Sequence, residues 1–193
     1  MYLFLLNLLV LVAKTKKDNS IRVNVGKLIK VIENGRLDSD IKTKIVGGST
    51  PPPTSRVWEE WKNYGYKCIL GARSWENKEV FLDDMLHAQI LTLLTDHEDN
   101  NSHRQPHHRH QQVLVLVTGD GNDNYKRGTS FPAILLKALK RQWHVELWSW
   151  EKALNGKFLD IQKTYPKLMK IKYFDLHRKK ITFTQKQTKT TIN

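Results

Sequence analysis

The chain has 193 residues, with 32 Lys and Arg against 19 Asp and Glu, a formal charge of +13. That length suits one domain with a substantial core and leaves too little for two, while the charge favours polyanionic partners such as nucleic acid or an acidic membrane surface. The only cysteine, Cys68, excludes an internal disulfide and a thiolate zinc site, and suits a reducing, intracellular compartment.

The apolar run that opens the chain, MYLFLLNLLVLVA, is about 13 residues long, short of the roughly 20 that a membrane-spanning helix needs. As a signal peptide it lacks a basic leading region, and Lys14, Lys16 and Lys17 follow the run instead of preceding it. A buried strand or helix of the fold itself, or a wrongly assigned start, stand ahead of secretion and of a membrane tether. Residues 1–20 are accordingly set apart from a domain over 21–183 and a disordered tail over 184–193.

Within the domain, Val25, Leu28, Ile29 and Ile32 have helical spacing, with Asn34-Gly35 as a C-cap. Lys44-Ile-Val46 reads as a short strand closed by Gly47-Gly48-Ser49. After three prolines, Thr54 or Ser55 caps a helix through Tyr64 whose aromatic face suits core packing better than base stacking. Gly65 stops it and residues 66–70 form the next strand. Asp83 or Asp84 then starts a helix carrying Leu86, Ile90, Leu91 and Leu94. Residues 96–112 hold five of the eight histidines and few apolar side chains, so they read as a flexible insertion before a metal site.

The pentad Val113–Val117 is apolar at every position, the pattern of a strand covered on both faces. It runs into Thr118-Gly-Asp-Gly-Asn122, which places Asp120 at the carboxyl end of the strand, either as a cation ligand or as a turn residue capping the next helix. A helix over Ser130–Arg141 with Pro132 in its first turn, a strand over Val145–Trp150 and another over Lys170–Phe174 complete an α–β alternation, which implies a mainly parallel sheet with helices on both faces. Residues 151–193 carry eleven Lys and Arg against Glu151, Asp160 and Asp175.

No GxGxxG, GxxxxGK[ST] or GxSxG motif occurs, which sets dinucleotide, P-loop and nucleophile-elbow chemistry aside. What remains is carboxylates at strand ends. Hard divalent cations take oxygen ligands and activate water against a phosphodiester, and Asp120, Asp123, Asp83 and Asp84 are the acids able to converge. For Asp83 and Asp84, complementing the dipole of their helix is the alternative.

The succession GGSTPP, W-x-x-x-GY, EVFLDDML, VLVLVTGDGN, a helix opening TSFP, and VELWSW resembles the NYN domain, a branch of the PIN-like metal-dependent ribonucleases. The resemblance implies a three-layer α/β/α sandwich with Rossmann-like topology, cleavage of RNA, and Mg²⁺ or Mn²⁺ held by carboxylates. It implies catalytic roles for Asp83 and Asp120, metal contacts from these two with Asn122 and Asp123, and substrate contacts from Asn124, Lys126, Arg127 and Ser130. Asn122 replaces a family acid with a neutral amide. The aspartate ending the family's first strand has no counterpart in the apolar run, and Asp18-Asn19-Ser20 is the nearest candidate. A truncated or misassigned start, or a degraded site, would explain this. An inactive RNA-binding or adaptor module of the same fold is therefore the alternative function.

Overall fold

A computed structural model describes residues 2–7, 21–49, 56–73, 79–80, 82–101, 111–119 and 129–184. The chain is mixed α/β. Its strands are β1 (Tyr2–Asn7), β2 (Ile21–Val23), β3 (Ile41–Ser49), β4 (Lys67–Arg73), β5 (Glu79–Val80), β6 (Val113–Val117), β7 (His144–Ser149), β8 (Met169–Tyr173) and β9 (Thr182–Thr184). Its helices are α1 (Val25–Glu33), α2 (Val57–Asn63), α3 (Leu82–Asn101), α4 (Phe131–Lys140), α5 (Gly156–Thr164) and α6 (Arg178–Ile181).

Seven strands form one sheet in the order β5-β4-β3-β1-β6-β7-β8, and β2 pairs with β9 in a separate antiparallel ribbon. All neighbours in the large sheet are parallel except β4 and β5. Leaving out β5, the sheet reads 3-2-1-4-5-6 when its parallel strands are numbered along the chain. This is the doubly wound order, in which the winding reverses between the first and fourth strands, here β1 and β6.

The apolar pentad explains itself in this setting. Leu114 and Leu116 join a core with α3, α4 and α5, whereas Val115 and Val117 join a second core with α1, α2 and α6. Successive strand residues point to opposite faces, so a strand covered on both sides is apolar throughout. β3 divides in the same way, with Ile45 in one core and Val46 in the other.

Local signals set several boundaries, the Asn34 end of α1 and the span of α4 as expected and the Asn24 cap in addition. The side chain of Asn24 caps α1 by accepting from the Lys27 N–H at 2.9 Å, and Asn34 ends the helix in the left-handed conformation with φ 49°. Ser130 caps α4, with Pro132 in the first turn.

Other expectations need correction. The strand expected at Lys44–Val46 is the nine-residue β3, which runs through Gly47 and Gly48 because α3 crosses close above it. A Cβ on Gly47 would lie 2.8 Å from Leu86 Cδ1, so glycine here is a packing requirement within a strand rather than a turn. α2 begins at Val57, and Thr54 and Ser55 lie outside the described residues. Trp58 and Trp61 are buried as expected of its aromatic face, but Tyr64 is exposed. α3 continues to Asn101, so the first six residues of the histidine-rich tract, 96–101, are helical and not part of a loop; 102–110 lie outside the described residues. The tail is ordered through Thr184, one residue past the expected boundary, because β9 pairs with β2.

Of the readings of the apolar run, a strand is what the structure has for Tyr2–Asn7, and that strand is central, between β3 and β6. Among the described residues no helix is long and apolar enough to cross a membrane.

Candidate functional site at the carboxyl edge of the sheet

In a doubly wound sheet the crevice for ligands opens beyond the carboxyl ends of the strands at the point where the winding reverses. Here that point lies beyond β1 and β6. β1 ends at Asn7, paired in register with Gly47 of β3, while Leu6 pairs with Val117, the last residue of β6.

The turn leaving β6 is fixed by β7 and the segment after it. Thr118 N–H donates to the Trp148 carbonyl at 3.1 Å, and Asn155 N–H donates to the Gly119 carbonyl at 3.1 Å. Asn155 also caps α5, accepting from the Lys157 N–H at 3.0 Å. Gly119 is buried so tightly that a Cβ would lie 2.5 Å from the Ala153 carbonyl oxygen and 2.7 Å from Ser149 Oγ. The first glycine of the GDG motif therefore serves close backbone approach. Asp120 follows it directly in sequence and, with Asn122, Asp123, Asn124, Lys126 and Arg127, lies outside the described residues.

α3 reaches the same edge. Its first residue, Leu82, packs over Gly47, the register partner of Asn7. Asp83 and Asp84 follow in the first turn, both of intermediate exposure. The first turn of α3 thus lies over β3 at the level where β3 pairs with the end of β1, although more than seventy residues separate α3 from β1 in sequence. Ser130 is buried at the start of α4, where its Oγ accepts from the Ala133 N–H at 3.3 Å. That bond makes Ser130 the cap of α4.

Two further acids behind strands, Glu151 and Asp175, were given no role in the sequence reading. Glu151 begins the turn after β7 and is exposed, and Asp175 follows β8 and accepts from the Glu151 N–H at 2.8 Å. The available signal was an acid directly after an aromatic residue at a strand end, Trp150 before Glu151 and Phe174 before Asp175. Asp175 is committed to bracing the Glu151 turn. Nearby, the Arg178 guanidinium lies 5.9 Å from the Trp150 ring centre, which brings the cations of α6 to the carboxyl edge as well.

Cys68 is half-buried, with its sulfur near the carbonyls of Trp58 and Tyr66, and burial pushes its thiol up, away from the reactive thiolate. Among the described residues no three His, Cys, Asp or Glu side chains are grouped to hold a metal ion.

The edge combines strand-end acids with the amino ends of α3, α4 and α5. Helix amino ends carry positive partial charge and unpaired N–H groups, which favour phosphate oxygens, while carboxylates favour hard cations. No protein-family model matches the chain, and no curated protein matches it.

Proposed function

We propose that the chain is a metal-dependent ribonuclease of the PIN-like NYN type, a three-layer α/β/α sandwich acting on RNA inside the cell. The observation that carries this reading is that the end of β1, the packed Thr118-Gly119 segment that precedes Asp120, and the first turn of α3 with Asp83 all lie at the carboxyl edge of the sheet, beside its reversal point. The donor set of Asp83, Asp120, Asp123 and Asn122 is all oxygen, which fits Mg²⁺ or Mn²⁺. When bound, such an ion supplies an activated water and charge neutralisation at the phosphodiester. Asp83 and Asp120 would hold it, Asn124, Lys126 and Arg127 would contact the RNA, and Arg178, Lys179 and Lys180 would neutralise backbone phosphates.

A second reading follows from Asn7. The end of the central strand carries a neutral amide where the resemblance leads one to expect an aspartate, and Asn122 repeats that substitution in the turn. Each loses a full negative charge from the cation's surroundings. The alternative is an RNA-binding or adaptor module that keeps the fold without the cleavage.

One experiment separates them: incubation of end-labelled single-stranded RNA with the purified chain, in Mn²⁺ or EDTA, beside Asp120→Ala. Cleavage that requires Mn²⁺ and is lost in the variant supports the ribonuclease. Intact RNA with salt-sensitive, metal-independent binding supports the module, and cleavage that persists in Asp120→Ala refutes the site assignment.

A further inference from the structure

The basic C-terminal quarter does not sit in one place. Arg178–Lys180 lie toward the carboxyl edge, whereas Lys167 and Lys170 lie at the amino ends of the strands. β7 alone is six residues long, so the two edges stand roughly 20 Å apart at about 3.3 Å per residue. Cations at the amino edge cannot serve the phosphodiester handled at the other.

They line a cavity of about 380 Å³ formed by Arg36, His144, Glu146, Lys167, Lys170 and Lys172. Four Lys and Arg thus face a single carboxylate. Glu146 is buried in β7 and pairs with both Arg36 and Lys172. Arg36 is held in place by donating to the Ile32 and Glu33 carbonyls at the end of α1. Lys167 and Lys170 are exposed, and among the described residues neither forms an ion pair. Val113 and Val145 add an apolar portion to the wall.

A single carboxylate shared by two part-buried cations leaves a positive excess in a concave, partly desolvated space. Burial, followed by the Arg36 and Lys170 charges, holds Lys172 below the ordinary lysine range. A mobile anion relieves that repulsion more strongly here than on an open surface, because the surrounding protein lowers the dielectric. The volume falls within the roughly 300–1,000 Å³ of small-molecule pockets, larger than a bare phosphate requires, and the valines offer contact to a non-ionic portion.

We propose that this amino-edge cavity is a binding site for a small phosphate-bearing anion of nucleotide size, separate from the carboxyl-edge site. Lys170 and Lys172 would donate to the phosphate oxygens from the face of β8, Lys167 would close the rim, and Arg36 would hold Glu146 aside. Nothing in this assignment depends on whether the chain cleaves RNA.

The test is titration of the intact chain with inorganic pyrophosphate at constant ionic strength, followed by thermal unfolding and calorimetry. The expected result is saturable stabilisation, weakened about tenfold or more in Lys170→Ala/Lys172→Met through loss of two charge-assisted contacts. Glu146→Gln removes the competing carboxylate and should tighten binding, a change of opposite sign that general loss of folding would not produce. Should Lys172→Met not fold, Lys170→Glu on the exposed rim makes the same test. Stabilisation reproduced by chloride at matched ionic strength, or unchanged in these variants, overturns the proposal. A 5′-mononucleotide that competes with pyrophosphate identifies a nucleotide as the source of the phosphate, and saturable pyrophosphate binding without such competition identifies an inorganic polyanion. Displacement by an RNA oligomer, with no saturable binding of either small anion, refutes a small-ligand site.

Discussion

Gly119→Ala probes the close packing of the first residue of the GDG motif against the segment after β7. The added methyl would meet the Ala153 carbonyl oxygen at 2.5 Å and Ser149 Oγ at 2.7 Å, and the nearer atom is backbone, which cannot swing aside as a side-chain end can. Overpacking of this kind costs about 1–3 kcal/mol. Displacement of the turn would also weaken the Asn155 N–H to Gly119 carbonyl bond, worth about 1 kcal/mol. The expected loss is therefore about 2–4 kcal/mol, read as a shift in urea midpoint with unchanged slope. At about 2–4 °C per kcal/mol for a chain of this size, Tm should fall by about 5–15 °C. Gly47→Ala is the internal comparison. Its methyl would meet Leu86 Cδ1, Leu86 Cδ2 and Leu82 Cδ1 at 2.8, 2.9 and 3.0 Å, all flexible side-chain ends, so its cost should be the smaller of the two. A Gly119→Ala protein within about 0.5 kcal/mol of the parent, the usual range for surface substitutions, would show that the turn is not held as described.

Glu146→Gln leaves Arg36 and Lys172 without their shared carboxylate, and chemical denaturation should report a loss of about 3 kcal/mol, the low end for broken buried pairs because Lys172 keeps 30% of its side chain exposed. At high pH, Tyr66 sets the direction of change. Burial, with the Glu33 carboxylate second, holds its phenol far above the ordinary 10.0, so above about pH 10 the folded chain keeps a proton that the unfolded chain releases, and stability must fall as pH rises. Lys44 adds to this in the same direction: burial opposes its charge, but hydrogen bonds to Asp38 and Glu33 together with the charges of those carboxylates outweigh it. Denaturant midpoints between about pH 9 and about pH 11 should fall less steeply in Tyr66→Phe than in the parent; equal slopes would remove Tyr66 as the cause. Asn7→Asp restores a carboxylate to the end of the central strand, and under the metal-dependent reading it should tighten Mn²⁺ binding measured by calorimetry, whereas an unchanged affinity would place Asn7 outside the cation's reach.

The elements legible in the sequence were those whose pattern and boundary signals agree. α1 has helical spacing between Asn24 and Asn34, and α4 runs from Ser130 and Pro132 to Arg141. β6 is legible because five successive β-branched or leucine residues ending at a Gly-Asp-Gly turn signal fit a short strand covered on both faces. β1 was obscured because apolar residues continue on both sides of Asn7, so the composition of MYLFLLNLLVLVA matched a leader as well as a core strand. β3 was shortened because glycine reads as punctuation, and only the close passage of α3 explains glycine inside a ladder. For the candidate site, Asp83 and the turn into Asp120 were visible as acids at element ends. The sharing of Glu146 between Arg36 and Lys172 was not, since it joins the end of α1 to β7 and β8 across more than a hundred residues. Glu146 set between Val145 and Leu147 was the local sign that a cation had to be found for it.

Sheet polarity accounts for part of this charge distribution and isolates the part that needs another cause. In a parallel sheet with connecting helices, helix amino ends gather at the carboxyl edge and helix carboxyl ends at the amino edge. Cations are favoured at helix carboxyl ends, where exposed carbonyls carry negative partial charge. Arg36 follows this rule by donating to the last carbonyls of α1, and Arg141 does so by donating to the Lys137 carbonyl of α4 at 3.4 Å. Lys170 and Lys172 do not, because they stand on β8, and the Lys172 ammonium lies 5.1 Å from the Trp148 ring centre and beside Glu146. Lysines on an edge strand discourage pairing with another chain, but that purpose is met by charges facing solvent. It does not account for a part-buried Lys172 drawn into a cavity already occupied by Arg36. The buried Glu146 offsets part of the repulsion between the two cations, and at the proposed site a bound anion would offset the remainder.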